Sequence, residues 1–113
     1  MSSLRQKPLW DAFLASPCYA ALKPVHQHWL QLFAATGARD AATMAQLSTR
    51  MIDEGAPQTP RQWAFLVTAS AVSHLSLGDK VTARAAVVDN WKKLDQQARD
   101  WPTMELFLRL TTP

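Results

Sequence analysis

With 113 residues, the chain is long enough to bury one core without metal or disulfide, and too short for a second independent domain. An apolar share of 48% and a charged share of 19% exclude disorder of the whole, and a lone cysteine, Cys18, excludes an internal disulfide and a multi-cysteine zinc site. The formal net charge of +3 is dispersed, with only Lys92 and Lys93 adjacent among the basic residues, so the basic stripe expected of a nucleic-acid-binding surface is missing.

The first eight residues lack the apolar centre of a signal peptide, and no apolar run reaches the roughly 18 residues that span a bilayer. The expectation is a soluble, cytoplasmic, all-α domain over residues 1–113, whose Met-Ser-Ser start and Thr-Thr-Pro end would also suit a domain cut from a longer protein. A short helix from Leu9 to Ala15 stops at Pro17, and a second short segment precedes Pro24. Val25, Trp29, Leu32, Phe33 and Thr36 then form a periodic face that ends at Gly37. Asp40 caps the next helix, which carries Met44, Leu47, Met51 and Ile52 and ends at Gly55.

Thr59 and Pro60 supply an N-cap hydroxyl and a first-position proline, so a helix runs from Pro60 to Leu77 and stops at Gly78. Its apolar residues, Trp63, Phe65, Leu66, Val67, Ala71, Val72 and Leu75, cover more than one stripe, which makes it the central helix. Asp79 caps a following helix in which Val81, Ala85, Val88 and Trp91 or Lys92 recur until the pattern fades near Leu94. Asp100, Trp101 and Pro102 read as a cap and first turn, and Met104, Phe107, Leu108 and Leu110 form the apolar face of a closing helix. No stretch of β-branched alternation bounded by turn signals predicts a strand.

Placing Gly37 over Gly78, an offset of about 41, aligns Ala42 with Ala83, Ala45 with Ala86 and Leu47 with Val88. Leu77-Gly78-Asp79 followed by Ala83, within two helices joined by a tight turn, resembles the turn and second helix of a tetratricopeptide repeat. The family's Trp, Leu, Gly and Tyr pattern and its closing proline are not reproduced at the 34-residue period. The resemblance implies about five to six helices in stacked antiparallel hairpins, and a role in holding peptides or partner helices in a concave groove.

Residues that carry chemistry are scattered. His26 and His28, two apart on one helix, do not face one another, so a helical zinc pair is absent, and His74 is remote in sequence. Cys18 would be a nucleophile only if His26 or His74 approached it with an orienting acid, and among apolar neighbours it reads instead as a packed core residue; Asp40, Asp79 and Asp100 have capping tasks. The three glycines are all explained as helix stops, which leaves none for a phosphate-cradling loop. The five tryptophans divide: Trp29 and Trp63 suit a core, whereas Trp10 and Trp101, near the chain ends, suit anchors for a partner.

The sequence therefore points to a protein-interaction or scaffold domain, chaperone-like, with no catalytic activity and no cofactor. Its expected contact surface is Trp10, Trp101 and the exposed side of the Pro60 helix, through Arg61 and Phe65. A protein partner or self-association is expected. The alternative is a small nucleic-acid-binding regulator, which would need Arg50, Arg61, Arg84, Lys92, Lys93 and Arg99 on one face.

Overall fold

Prolines and short polar side chains set the helix starts. In a computed structural model that describes residues 3–112, with side chains from Pro8 onward, the order is α1 (Ser3–Leu14), α2 (Pro17–Ala20), α3 (Pro24–Gly37), α4 (Ala41–Asp53), α5 (Pro60–Ser76), α6 (Lys80–Val88), a 3-10 turn (Trp91–Lys93), α7 (Gln96–Arg99) and α8 (Pro102–Leu110). No strand occurs among the described residues. Helices α2, α3, α5 and α8 each open on proline, whose missing N–H would have had no partner there. Ser16, Asp40, Thr59, Asp79 and Asp95 cap their helices by accepting a first-turn N–H.

The described residues hold eight α-helices where five or six were expected. Two are single turns, α2 and α7, started by their own caps, and α6 ends at Val88 instead of running on toward Leu94. Helix α1 begins at Ser3 rather than Leu9, carrying Pro8 inside it at the expense of one backbone hydrogen bond. Asp100 does not cap α8; it follows α7 and accepts a hydrogen bond from Gln96 Nε2 at 2.8 Å.

Two turns are built alike. Between α3 and α4, Arg39 adopts φ 56° and Asp40 N donates to Ala35 O at 2.9 Å; between α5 and α6, Gly78 adopts φ 83° and Asp79 N donates to His74 O at 2.9 Å. Asp40 then accepts Thr43 N at 3.1 Å and Thr43 Oγ1 at 2.6 Å, and Asp79 accepts Thr82 N at 3.0 Å and Thr82 Oγ1 at 2.6 Å. These matching turns lie 39 residues apart, Asp40 over Asp79, rather than the 41 of the sequence alignment. Gly37 is the last residue of α3, not its left-handed stop; that role falls to Arg39.

Helix α5 packs between α4 and α6 and feeds two apolar clusters. Leu66 joins Leu32 and Met51, while Val67 and Ala71 join Val87, Leu94 and Met104. Each fully buried Leu, Val or Met contributes about 1.5–3 kcal/mol relative to exposure. Buried Ser48 and Ser73 satisfy their hydroxyls on Met44 O and Ala69 O, both at 2.6 Å, so the small polar side chains beside α5 leave no orphaned donor.

Several residues assigned to apolar faces point elsewhere. On α3, Leu32 and Ala35 are buried, whereas Val25, Phe33 and Thr36 are exposed. On α6, Ala83 and Val87 face inward, four residues apart, and Val81 and Val88 are 82% and 51% exposed. On α8, Met104 is buried and Leu110 is exposed. A spacing of seven marks one helix face but not its direction, and only the packing of neighbouring helices decides which face turns inward.

Replacing Arg39 by Gly should raise stability by about 1 kcal/mol, or about 4 °C in melting temperature, and Gly78→Ala should lower it by a similar amount. Thermal melts of the two variants check this opposition. The Thr43 hydroxyl, and next its N–H, hold the Asp40 carboxyl below its ordinary value; the Thr82 hydroxyl and N–H do the same for Asp79, with smaller help from His74. Because the folded values are depressed, this stabilisation is complete above the unfolded value near about pH 4 and is lost as pH falls through the folded values. Amide exchange in the first turns of α4 and α6, corrected for intrinsic rate, should accelerate below about pH 4, and less so in a Thr43→Val, Thr82→Val chain.

Candidate functional site

On α5, Arg61, Ala64, Phe65 and Thr68 are spaced to fall on one face; Ala64 and Phe65 are half-buried against the two apolar clusters, and Arg61 is exposed. They form one wall of an open groove of about 430 Å³; Leu94, Asp95, Ala98, Trp101 and Met104 line the other. The second wall is built by α7 and the start of α8. The Asp95 carboxylate caps α7 by accepting Ala98 N at 2.9 Å, and Arg99 donates through Nε at 3.1 Å and Nη2 at 2.8 Å to Trp91 O. Trp101 precedes Pro102, which keeps its backbone extended (φ −60°, ψ 126°) at the entry to α8, and its side chain is 48% exposed. It is the one exposed tryptophan among the five.

Phe65 links this groove to α3. Its ring lies 5.4 Å from that of Phe33 at 66° and 6.2 Å from that of Trp29, and Trp29 and Phe33 are 6.1 Å apart. Phe33 is 41% exposed, so an aromatic surface continues from α3 across α5 to Trp101. Beyond Trp101 a smaller cleft of about 70 Å³ runs to Val72 and Phe107. Across the whole of α3 and α5 there is one permanently charged side chain, Arg61. Arg61 is exposed and makes no ion pair or hydrogen bond with any described side chain.

Of the residues singled out in the sequence, the structure brings Arg61, Phe65 and Trp101 together and leaves Trp10 apart. Trp10 is half-buried, meets Phe13 edge-on at 6.4 Å, and lines a separate groove of about 490 Å³ with Leu14, Ala34 and Leu47. Sequence reasoning missed Phe33 and Thr68. In sequence Phe33 belongs to the periodic face of α3 with Trp29; the available signal is the absence of Lys, Arg, Asp and Glu along α3, which permits an exposed apolar face as readily as a buried one. Trp29 and Trp63 do pack against the two clusters, and Lys93 Nζ lies 4.2 Å from the Trp63 ring centre.

Cys18 is exposed, as is His26. His28 Nδ1 is 4.0 Å from Glu54 Oε2, and His74 Nδ1 sits 2.8 Å from Ser70 O, an acceptor that calls for a donated proton. No three His, Cys, Asp or Glu side chains among the described residues are grouped to hold a metal ion. Most of the basic residues of the nucleic-acid alternative are occupied internally. Arg50 pairs with Glu54 at 2.9 Å, Arg84 donates to Leu108 O at 2.8 Å, Arg99 holds Trp91 O, and Lys93 covers Trp63. No helix among the described residues is long and apolar enough to cross a membrane. Compared with known protein families, curated protein sequences and solved structures, the chain matches none.

Acrylamide should quench Trp101 more than the other four tryptophans. Trp101→Phe should remove the most quenchable part of the emission, and Trp63→Phe should leave it in place; equal loss from both would place Trp101 in the core.

Proposed function

We propose that the chain is a protein-interaction domain made of helical hairpins of the tetratricopeptide kind, α3 with α4 and α5 with α6, and that it holds a protein partner across α3, α5 and the start of α8. The observation that carries this reading is the convergence of Arg61, Phe65 and half-exposed Trp101 on one open groove, continuous with the exposed ring of Phe33. Arginine and aromatic side chains are the types that supply most of the free energy at protein interfaces, because they bury large areas at small entropic cost. The equivalent turns at Arg39–Thr43 and Gly78–Thr82 support two related hairpins.

On this reading the domain is a scaffold that does no chemistry of its own and needs no cofactor, and it works in the cytoplasm. The internal use of Arg50, Arg84, Lys93 and Arg99 favours a protein partner over a nucleic acid, since phosphate backbones require several available cations along one track. Photo-crosslinking in the source cell tests it. A benzoylphenylalanine placed at Phe65 should give a discrete protein adduct, and one placed at Val81, on the far side of α6, should give none. An adduct pattern that is the same at both positions, or absent at Phe65, contradicts the proposal.

A further inference from the structure

The charges around the groove say what kind of segment fits it, given the reading above that the groove holds a protein. Arg61 is the only permanent charge on α3 and α5, it stands at the edge of the groove in the first turn of α5, and no described acid neutralises it. The one acid in the lining, Asp95, directs its carboxylate to Ala98 N at 2.9 Å, where it offsets the positive N-terminal end of α7. Apart from Thr68 and Gln97, the rest of the lining is apolar: Ala64, Phe65, Leu94, Ala98, Trp101 and Met104. The groove therefore offers one unneutralised guanidinium at its edge and an aromatic floor beside it.

We propose that the occupant is an apolar peptide segment that carries an Asp or Glu next to its anchoring side chains. Its carboxylate meets Arg61 while a Leu, Ile, Phe or Met side chain enters between Phe65 and Trp101. A guanidinium fits a carboxylate in a two-pronged contact that fixes register, and the partly desolvated aromatic wall strengthens it. A neutral apolar segment would leave Arg61 facing apolar surface with its solvation reduced. A basic segment would meet repulsion there. Single-stranded nucleic acid could stack on Phe65 and Trp101, but a strand tracked by its phosphates needs a row of cations, and this groove has one cation and one acid.

The test is a selection of random peptides of about twelve residues, displayed on phage, against the full chain at physiological salt. Selected pools should share apolar residues with an adjacent Asp or Glu. Binding should be lost with Phe65→Ala and with Trp101→Ala, and should weaken roughly tenfold or more with Arg61→Glu. Selection against the Arg61→Glu chain should yield Lys or Arg at the former acidic position. Arg61 is exposed and an acid is favourable in a first helical turn, so that variant folds; circular dichroism of each variant checks the fold.

Peptides that depend on Phe65 and Trp101 but have no acid, with binding unchanged by Arg61→Glu, overturn the acidic specificity and leave the groove reading intact. Peptides indifferent to Phe65 and Trp101, or a pool without any shared pattern, overturn both. Micromolar binding of an oligothymidine probe that Arg61→Glu abolishes would make the groove a nucleic-acid site, and a concentration-dependent dimer broken by Phe65→Ala would make its occupant a second copy. Either result overturns the proposal.

Discussion

Leu66 and Val67 are neighbours on α5, both fully buried, and they belong to different clusters. Successive residues on a helix point about 100° apart, so α5 has to be covered on two sides at once. That constraint sets the positions of its neighbours. Met51 from α4 and Leu32 from α3 close one side; Val87 from α6, Leu94 and Met104 from α8 close the other. The turns before α4 and α6 aim those helices, each through one left-handed residue and one Asp-to-Thr cap. The strip of α5 that lines the groove bears Arg61, Phe65 and Thr68, and Val72 is exposed farther along the helix.

The same constraint explains why that strip is so poor in charge. A helix that buries two sides has little circumference left for ionised groups, and α3, whose Trp29 and Phe33 rings lie against Phe65, contains none. Elsewhere the outer faces are charged in the ordinary way, with the Arg50–Glu54 and Arg109–Glu105 pairs four residues apart on α4 and α8, worth little individually. The groove beside α5 sets aromatic rings next to a single cation, Arg61, and this combination is what the proposed docking role rests on.

The starts of α4, α5 and α6 were legible because they depend on local chemistry, a Thr or Asp cap and in α5 a first-position Pro; the start of α1 and the whole of α7 were not. Directions of burial were not. Val81 and Val88 on α6, like Phe33 on α3, match the periodicity of a core face while lying outside, because only the neighbouring helix decides which face is inner. Gly37 drew attention as a helix stop, but the left-handed residue is Arg39, a type that tolerates the conformation only at a cost and so gives no warning in sequence. Of the candidate site, Phe65, Arg61 and Trp101 could be named from residue type and position. Their meeting could not, since α7 and the Trp91–Lys93 turn that bring Trp101 to α5 are short and irregular. Trp10 had the same compositional signal, yet α1 places it in a different groove.

We propose that the Arg61 to Thr68 face of α5 and Trp101 form one docking surface. Indole and backbone nitrogen–proton spectra during titration with an apolar peptide bearing one acidic residue test it most directly, since each of the five tryptophans reports a separate location. Shifts are expected at the Trp101 indole and along Arg61 to Thr68, with Trp10 and Trp91 unmoved. Shifts centred on Trp10 and the groove between α1 and α4 would contradict it.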